Sequence, residues 1–207
     1  MNKTLVDSRF AMLKRHHTQT LKDAISKDQV DALVIPFLLK VTEIPDIYTS
    51  SSCSGRLLLL GGDKDENKKV SGFVNRYHRQ VTFEEIKRDV DNFNTGYLWL
   101  KVEPFIFHFA TKDYDKAKDI LDFCRAQGLK KAGIISAKEG RFTCEVTHTV
   151  FMSTLIKIDK KQLISDEYLK LIVDIANKKL AANFKKLEDF ENAFLKAFPS
   201  KLKIKKK

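Results

Sequence analysis

The chain has 207 residues, of which 43% are hydrophobic, enough for one sizeable core or two small ones. Lysine and arginine number 38 against 27 aspartates and glutamates, which gives a formal net charge of +11. A charge this positive favours polyanionic partners, either nucleic acid or an acidic membrane surface. The composition excludes a disordered chain, and no apolar run approaches the ~20 residues of a membrane-spanning helix.

The N-terminal and cysteine patterns bear on where the protein works. Residues 1–10 lack the apolar stretch of a signal peptide. Cys53, Cys124 and Cys144 are an odd number of cysteines at wide spacings, without a C-x-x-C pair. We therefore expect no zinc site, no disulfide framework and no other metal, and we predict a reduced, soluble, cytoplasmic protein.

The first half of the chain changes from helical to strand patterns. In chain order we predict a helix over 7–26, a helix over 29–41, strands over 48–52, 56–61 and 70–78, and a helix over 82–93. Pro36 is expected to kink or restart the second helix. The strands that flank Ser54 form either a tight hairpin or a strand–turn–strand. Thr82 and Glu85 have the spacing of a capping box, which begins the third helix.

The second half contains the strongest strand signals. In chain order we predict strands over 97–102 and 105–110, a helix over 115–127, strands over 131–137, 141–147 and 151–158, and a helix over 165–198. Gly128 closes the first of these helices as a C′ glycine, and Asn183 is expected to break the last one. No regular βαβ alternation is present, so the fold class is α+β. We expect a mixed or antiparallel sheet with flanking helices and a long C-terminal helix.

One domain over 1–199 and a basic tail over 200–207 are predicted. The tail carries Lys201, Lys203, Lys205, Lys206 and Lys207. It is either a cationic arm that raises affinity for RNA phosphates or a solubilising tail.

Residues 50–56 form the most unusual segment, with consecutive hydroxyls, a thiol, a glycine and an arginine. Gly55 permits a positive φ, and Arg56 offers a planar fork for a phosphate or carboxylate. The segment is either a ligand-binding turn or a polar turn without a ligand. Cys53 is either a nucleophile served by a base such as His78 or an inert structural thiol.

Two histidines and one glutamate are further candidates. His78 is either a general base or a surface residue in a basic strand end. His108 alternates with Phe107 and Phe109 and so faces away from them, either as a buried histidine or as a pocket residue. Glu103 either binds an amine or hydroxyl or forms a strand-edge salt bridge. No glycine-rich phosphate loop is present, so a Rossmann nucleotide site is not expected.

Several motifs occur together in this sequence. S-S-C-S-G-R spans 51–56, His78 follows, and V-E-P-F-I-F-H spans 102–108. Together with Asp31 upstream and Gly133 downstream, they resemble the tRNA wybutosine-synthesising protein 3 family over about residues 10–156.

The resemblance implies that the protein is archaeal, that it is a stand-alone chain and that it is not a Rossmann methyltransferase. It also implies an activity. The activity is S-adenosylmethionine-dependent methylation of N4 of the demethylwyosine-type base at position 37, in the anticodon loop of tRNA-Phe. The alternative is a non-catalytic RNA-binding module that acts on tRNA. The implied catalytic candidates are His78, His108 and Asp31. The implied residues that bind the methyl donor or the base are Ser52, Cys53, Ser54, Gly55, Arg56, Glu103 and Gly133.

Overall fold

The computed structural model describes residues 3–67 and 69–200. The helices are α1 (Lys3–Ile25), α2 (Ile35–Thr42), α3 (Phe83–Asn92), α4 (Tyr114–Ala126) and α5 (Asp166–Ala197). The strands are β1 (Ile47–Cys53), β2 (Arg56–Gly62), β3 (Gly72–Tyr77), β4 (Tyr97–Glu103), β5 (Ile106–Thr111), β6 (Gly133–Lys138), β7 (Arg141–Thr147), β8 (Met152–Ile158) and β9 (Lys161–Gln162). None of the described helices is long and apolar enough to cross a membrane.

Packing divides the described residues into two compact units. Unit 1 contains residues 3–54, 105–149 and 186–200, and unit 2 contains residues 55–104 and 150–185. The expectation of one domain over 1–199 stays a prediction. The lysines of the predicted tail, at 201–207, lie outside the described residues.

Unit 1 is built on an antiparallel sheet with the order β1-β5-β7-β6. Phe107 and Phe109 alternate along β5 and are fully buried on one face of the sheet. Phe190 and Phe194 of α5 pack on this face, with ring centroids 5.8 Å from Phe107 and 4.6 Å from Phe109, respectively. Aromatic rings of this size bury a large apolar area each, so they are central to the core of unit 1.

The opposite face of this sheet is partly covered by α1. Phe10 packs against Tyr48 of β1 and Ala110 of β5 in a small separate cluster. The ring of His17 stacks on Tyr48 with a centroid distance of 4.9 Å. The helix therefore covers one end of this face.

Unit 2 is built on a second antiparallel sheet with the order β3-β2-β4-β8-β9. Leu57 and Leu59 of β2 are fully buried and pack with residues of α3 and with the N-terminal part of α5, including Ile86 and Val173. The buried Lys157 donates from Nζ to the carbonyl of Val90 at 2.5 Å, which satisfies a carbonyl at the C-terminus of α3.

The α+β prediction and the long C-terminal helix are confirmed, and every described strand pair is antiparallel. The capping box is confirmed, since Thr82 accepts from the Glu85 amide and the Glu85 side chain accepts from the Thr82 amide. Pro36 restarts the chain as a helix, because it lies in the first turn of α2, where its missing N–H costs nothing.

One alternative left open by the sequence is decided, and one local prediction is wrong. The strands on either side of Ser54 form a strand–turn–strand and not a hairpin, since β1 pairs with β5 while β2 pairs with β3 and β4. A hairpin needs both strands in one sheet, and here each strand completes a different hydrophobic core. Helix α5 continues through Asn183, which is fully buried, so this residue does not end the helix.

We predict that Phe190→Ala lowers the free energy of unfolding by about 3–5 kcal/mol, because it leaves a cavity among the rings around β5. The exposed Met12, on α1 of the same unit, is 55% accessible. Met12→Ala is the control and should change stability by about 0.5 kcal/mol or less. Urea denaturation followed by circular dichroism measures both. Equal losses in the two variants would contradict the central position of Phe190.

Candidate functional site

In unit 1, Asp31 holds the end of strand β1. Its Oδ2 accepts from the backbone N–H of Ser54 at 2.9 Å, and Oδ1 accepts from the N–H of Leu33 at 3.2 Å. Ser54 is fully buried, so this bond satisfies an amide that water does not reach. The structure therefore places two predicted residues in contact and gives Asp31 a structural role; its catalytic role stays a prediction.

The register between β1 and β5 places the other residues of the motif. Ser52 lies opposite Phe107, and Cys53 lies opposite Ile106. Directly paired residues share a face of an antiparallel sheet. Cys53 therefore shares the face of His108, whereas Ser52 shares the face of the buried phenylalanines.

A row of four residues crosses the sheet of unit 1 on the face opposite the phenylalanines. It runs from Ser51 of β1 through His108 and Glu145 to Gly133 of β6. Within it, His108 Nε2 lies 2.9 Å from Glu145 Oε2. A carboxylate can only accept a hydrogen bond, so Nε2 of His108 is the donor in this pair. When the His108 ring is neutral, its Nδ1 therefore keeps a lone pair. This arrangement suits a proton acceptor.

Gly133 faces open space within unit 1. A Cβ added to it would meet no atom within 4 Å. The register partner of Gly133 is Glu145, so the glycine leaves room beside the His108–Glu145 pair.

In unit 2, Arg56 and Glu103 are directly opposite each other on β2 and β4. Arg56 Nε and Nη2 both lie 2.8 Å from Glu103 Oε2. The side chains are only 21% and 34% exposed, which makes the pair stronger than a fully solvated one. The arginine fork is therefore directed at a residue of the same unit, and binding of a ligand by either side chain stays a prediction.

Gly55 directly precedes Arg56 and has a φ of 93°. A residue with a Cβ would be strained in this left-handed region. The glycine therefore allows the left-handed backbone conformation at the start of β2.

His78 directly follows strand β3 in a segment anchored on both sides. Tyr77 donates from its hydroxyl to Asp89 Oδ2 at 2.5 Å, and Arg79 forms two bonds to Glu85, at 2.6 and 3.1 Å. Burial, followed by the bond to Asp89, raises the pKa of Tyr77 to about 12, so the phenol keeps its proton. These anchors restrict the backbone of His78, which is half-buried.

Sequence reasoning missed Glu145 and Glu191. The partnership of Glu145 with His108 depends on strand register, which the sequence does not display. Glu191 lies on α5, far along the chain from every motif. Its Oε1 is buried and accepts no hydrogen bond within the described part of the chain. A half-buried acid with a buried, unbonded oxygen is a mark of functional sites as well as of cores.

The environment of Glu191 favours its protonated form. Burial, followed by repulsion from Glu188, raises its pKa to about 7; attraction to Lys40 opposes this rise, and repulsion from Asp31 adds to it. His148 is a second half-buried titratable group of unit 1. Its ring stacks on Phe105 with centroids 5.9 Å apart, and its Nδ1 is buried without a partner among the described residues.

Comparison with known proteins shows which family the chain belongs to. Residues 8–196 match the family described as Methyltransferase TYW3. The chain belongs to this family. A relative from Methanocaldococcus jannaschii is 33% identical over 81% of this chain and 87% of its own length. It is named tRNA(Phe) 7-((3-amino-3-carboxypropyl)-4-demethylwyosine(37)-N(4))-methyltransferase. A relative from Pyrococcus horikoshii with the same name and the suffix 2 is 33% identical over 88% of each chain.

Solved structures agree with this membership. The PH1069 protein from Pyrococcus horikoshii has a TM-score of 0.85 and 27% identity, and covers 90% of this chain and 96% of its own. A hypothetical protein from Aeropyrum pernix has a TM-score of 0.70 and 26% identity, and covers 81% of this chain and 98% of its own. The resemblance in the motifs is thus confirmed. As a member of the TYW3 family, the protein is a tRNA methyltransferase, and its reaction needs a methyl donor.

We predict that Glu191 makes stability fall as the pH rises. Folding raises the pKa of this carboxyl from 4.5 to about 7, so the folded state binds the proton more tightly. The resulting stabilisation is fully present below pH 4.5 and is lost by about pH 7. Glu191→Gln should therefore reduce the decline in melting temperature over this range, while Glu139→Gln at an exposed loop should not. Identical pH profiles for wild type and Glu191→Gln would contradict this account.

Proposed function

We propose that the protein transfers a methyl group from S-adenosylmethionine to N4 of 7-(3-amino-3-carboxypropyl)-4-demethylwyosine at position 37 of tRNA-Phe. The observation that carries the proposal is the match of residues 8–196 to one methyltransferase family whose relatives bear this activity in their names. The net charge of +11 suits a tRNA substrate, because basic side chains bind phosphates and release counterions.

The donor set of the motif residues fits S-adenosylmethionine. The donor carries an amino group, a carboxylate, ribose hydroxyls and a purine ring. Arg56 suits the carboxylate, and Glu103 suits the amine or a hydroxyl. In unit 1, the hydroxyl of Ser52 and the thiol of Cys53 offer further hydrogen-bonding groups. The buried orphan atoms of His148 and Glu191 give unit 1 polar groups that a bound molecule would satisfy.

The reaction is a displacement at the methyl carbon. S-adenosylmethionine supplies the methyl group on a sulfonium, whose bond to that carbon breaks as the bond to N4 forms, leaving a neutral thioether. N4 of the demethyl base carries a hydrogen, which must leave as a proton. Alignment and exclusion of water account for most of the acceleration, and a positioned base removes the proton.

His108 and His78 are the bases we propose, one in each unit. In unit 1 the bond to Glu145 leaves Nδ1 of His108 as the proton acceptor, and Glu145 acts as its positioning residue. Asp31 is the weaker candidate because its two oxygens already accept from Ser54 and Leu33. Its proposed role is therefore to hold the turn that carries the motif.

The substrate base is reached by extrusion from the loop. Position 37 lies in the single-stranded anticodon loop, where a base is splayed out at low cost. The lysine-rich tail over 201–207 would add phosphate contacts without sequence information.

The alternative is a non-catalytic RNA-binding module, with the motif serving only to hold phosphate. Isothermal titration calorimetry with S-adenosylmethionine distinguishes the two. The methyltransferase binds the donor in the absence of RNA, with heat that Arg56→Ala reduces and that Arg88→Ala, at an exposed position of α3, leaves unchanged. Binding of tRNA without any donor binding would favour the module.

We predict that His108→Ala lowers kcat by about 10²–10⁴-fold if His108 is the base, the usual contribution of general-base catalysis. Glu145→Gln should lower kcat less, leave KM for tRNA unchanged and shift the pH dependence of kcat, which a merely structural glutamine substitution would not do. Initial rates with tritium-labelled methyl donor and demethylwyosine-containing tRNA-Phe measure both. Full activity in His108→Ala would remove His108 as the base.

We also predict that Arg56→Ala and His78→Ala lower the rate of methyl transfer in the same assay. Arg88→Ala removes a charge from the same unit and is the matched control. If both variants retain full activity, the assignment of Arg56 and His78 to the site is wrong. The proposed function would still hold in that case, provided that the wild-type protein methylates its substrate.

A further inference from the structure

Phe73 is an aromatic residue left at the surface of unit 2. It lies on β3, which is an edge strand of the second sheet. Its side chain is 49% exposed, although a phenyl ring gains from burial. Exposed aromatic rings on sheets commonly serve as stacking platforms for unpaired bases.

Two guanidinium groups lie beside this ring. The Cζ atom of Arg56 is 4.6 Å from the Phe73 ring centroid, and that of Arg76 is 5.6 Å away. Both distances are within the range of cation–π attraction. Among residues 3–67 and 69–200, Arg76 forms no ion pair. Its charge is therefore available to a phosphate, whereas that of Arg56 is shared with Glu103.

An open groove runs along the same edge. It has a volume of about 600 Å³, and its lining includes Gly61, Gly62, Phe73, Val74, Phe93 and Gly96. Gly72, beside Phe73, is also in the lining, and a Cβ added to it would meet no atom within 4 Å. Gly72 therefore leaves open space beside the exposed ring for a planar group and its backbone.

The outer edge of β3 is poorly suited to pairing with a further β-strand. The register of β3 shifts between the partners Leu59 and Leu60, so that Val74 is an extra residue opposite them. A bulge of this kind twists an edge and interrupts its ladder of hydrogen bonds. Together with the two arginines, this favours a nucleotide over an extended peptide as the occupant.

We infer that Phe73, Arg56 and Arg76 form a platform on which an unpaired base of the tRNA substrate stacks, while Arg76 binds an adjacent phosphate. The inference rests on the proposed function for the identity of the RNA. The base stacks on the phenyl ring or on a guanidinium plane, and both kinds of surface accept any base. The platform thus contributes affinity, and sequence recognition is left to the modified base itself.

The test uses the full chain and a synthetic anticodon stem-loop of tRNA-Phe with 2-aminopurine at unpaired loop positions. Phe73→Ala should raise Kd by about 5- to 100-fold and remove the fluorescence quenching that stacking causes. Phe73→Trp should bind at least as well as wild type, whereas Phe73→Leu, which keeps apolar volume without a π-face, should bind as weakly as alanine. Arg76→Ala should reduce the slope of log affinity against log salt by about 0.7.

Two variants of unit 2 are matched controls. Tyr168 of α5 is an aromatic residue with 48% exposure, and Arg88 of α3 is an exposed arginine. Tyr168→Ala and Arg88→Ala should leave Kd and quenching unchanged. If Phe73→Ala and Arg76→Ala also bind like these controls, the platform inference is overturned, and the patch serves something other than RNA.

The kinetic arm separates this inference from the proposed function. With demethylwyosine-containing tRNA-Phe, Phe73→Ala should raise KM by the same factor as Kd and leave kcat unchanged. Wild-type methylation with an unaltered KM in Phe73→Ala would overturn the platform alone. Absence of methylation by the wild type would contradict the proposed function, and the binding arm would still decide the platform.

Discussion

The alternation of side chains along β5 is the constraint on which the candidate site of unit 1 depends. Phe107 and Phe109 place their rings against Phe190 and Phe194, and this burial fixes which face of the strand is inside. His108 is thereby held on the other face, opposite Glu145. A slip of one residue would reverse both faces, so the core that stabilises the unit also sets the position of the proposed base.

The two motifs that identify the family lie where the chain passes from one unit to the other. Ser54 ends a segment of unit 1 and Gly55 begins unit 2, while Pro104 ends a segment of unit 2 and Phe105 returns the chain to unit 1. Each motif therefore contributes residues to both sheets. In unit 1 the turn is held by a buried amide bonded to Asp31, and in unit 2 the strand ends are held by an arginine–carboxylate pair.

Local patterns in the sequence predicted most elements of the fold, because capping residues, alternation and terminating glycines act over a few residues. Thr82 with Glu85 and the C′ glycine Gly128 are examples. The sequence left the pairing of β1 and β2 open between a hairpin and a strand–turn–strand, because the sheet that a strand joins depends on contacts distant in sequence. The partnership of His108 with Glu145 and the exposure of Phe73 escaped prediction for the same reason. Arg56 stood out from the residues of its own segment, whereas Asp31 was found only through the resemblance to a family pattern.

The central claim is that the protein places a methyl group on N4 of the demethylwyosine-type base. The most direct test is mass spectrometry of the nucleosides of tRNA-Phe after incubation with trideuteromethyl-labelled S-adenosylmethionine. The account predicts one trideuteromethyl group on the tricyclic base at position 37, with fragmentation that assigns it to N4, and none on tRNA-Phe that carries unmodified guanosine there. An unlabelled tricyclic base, with an active relative labelling the same tRNA in parallel, would contradict it.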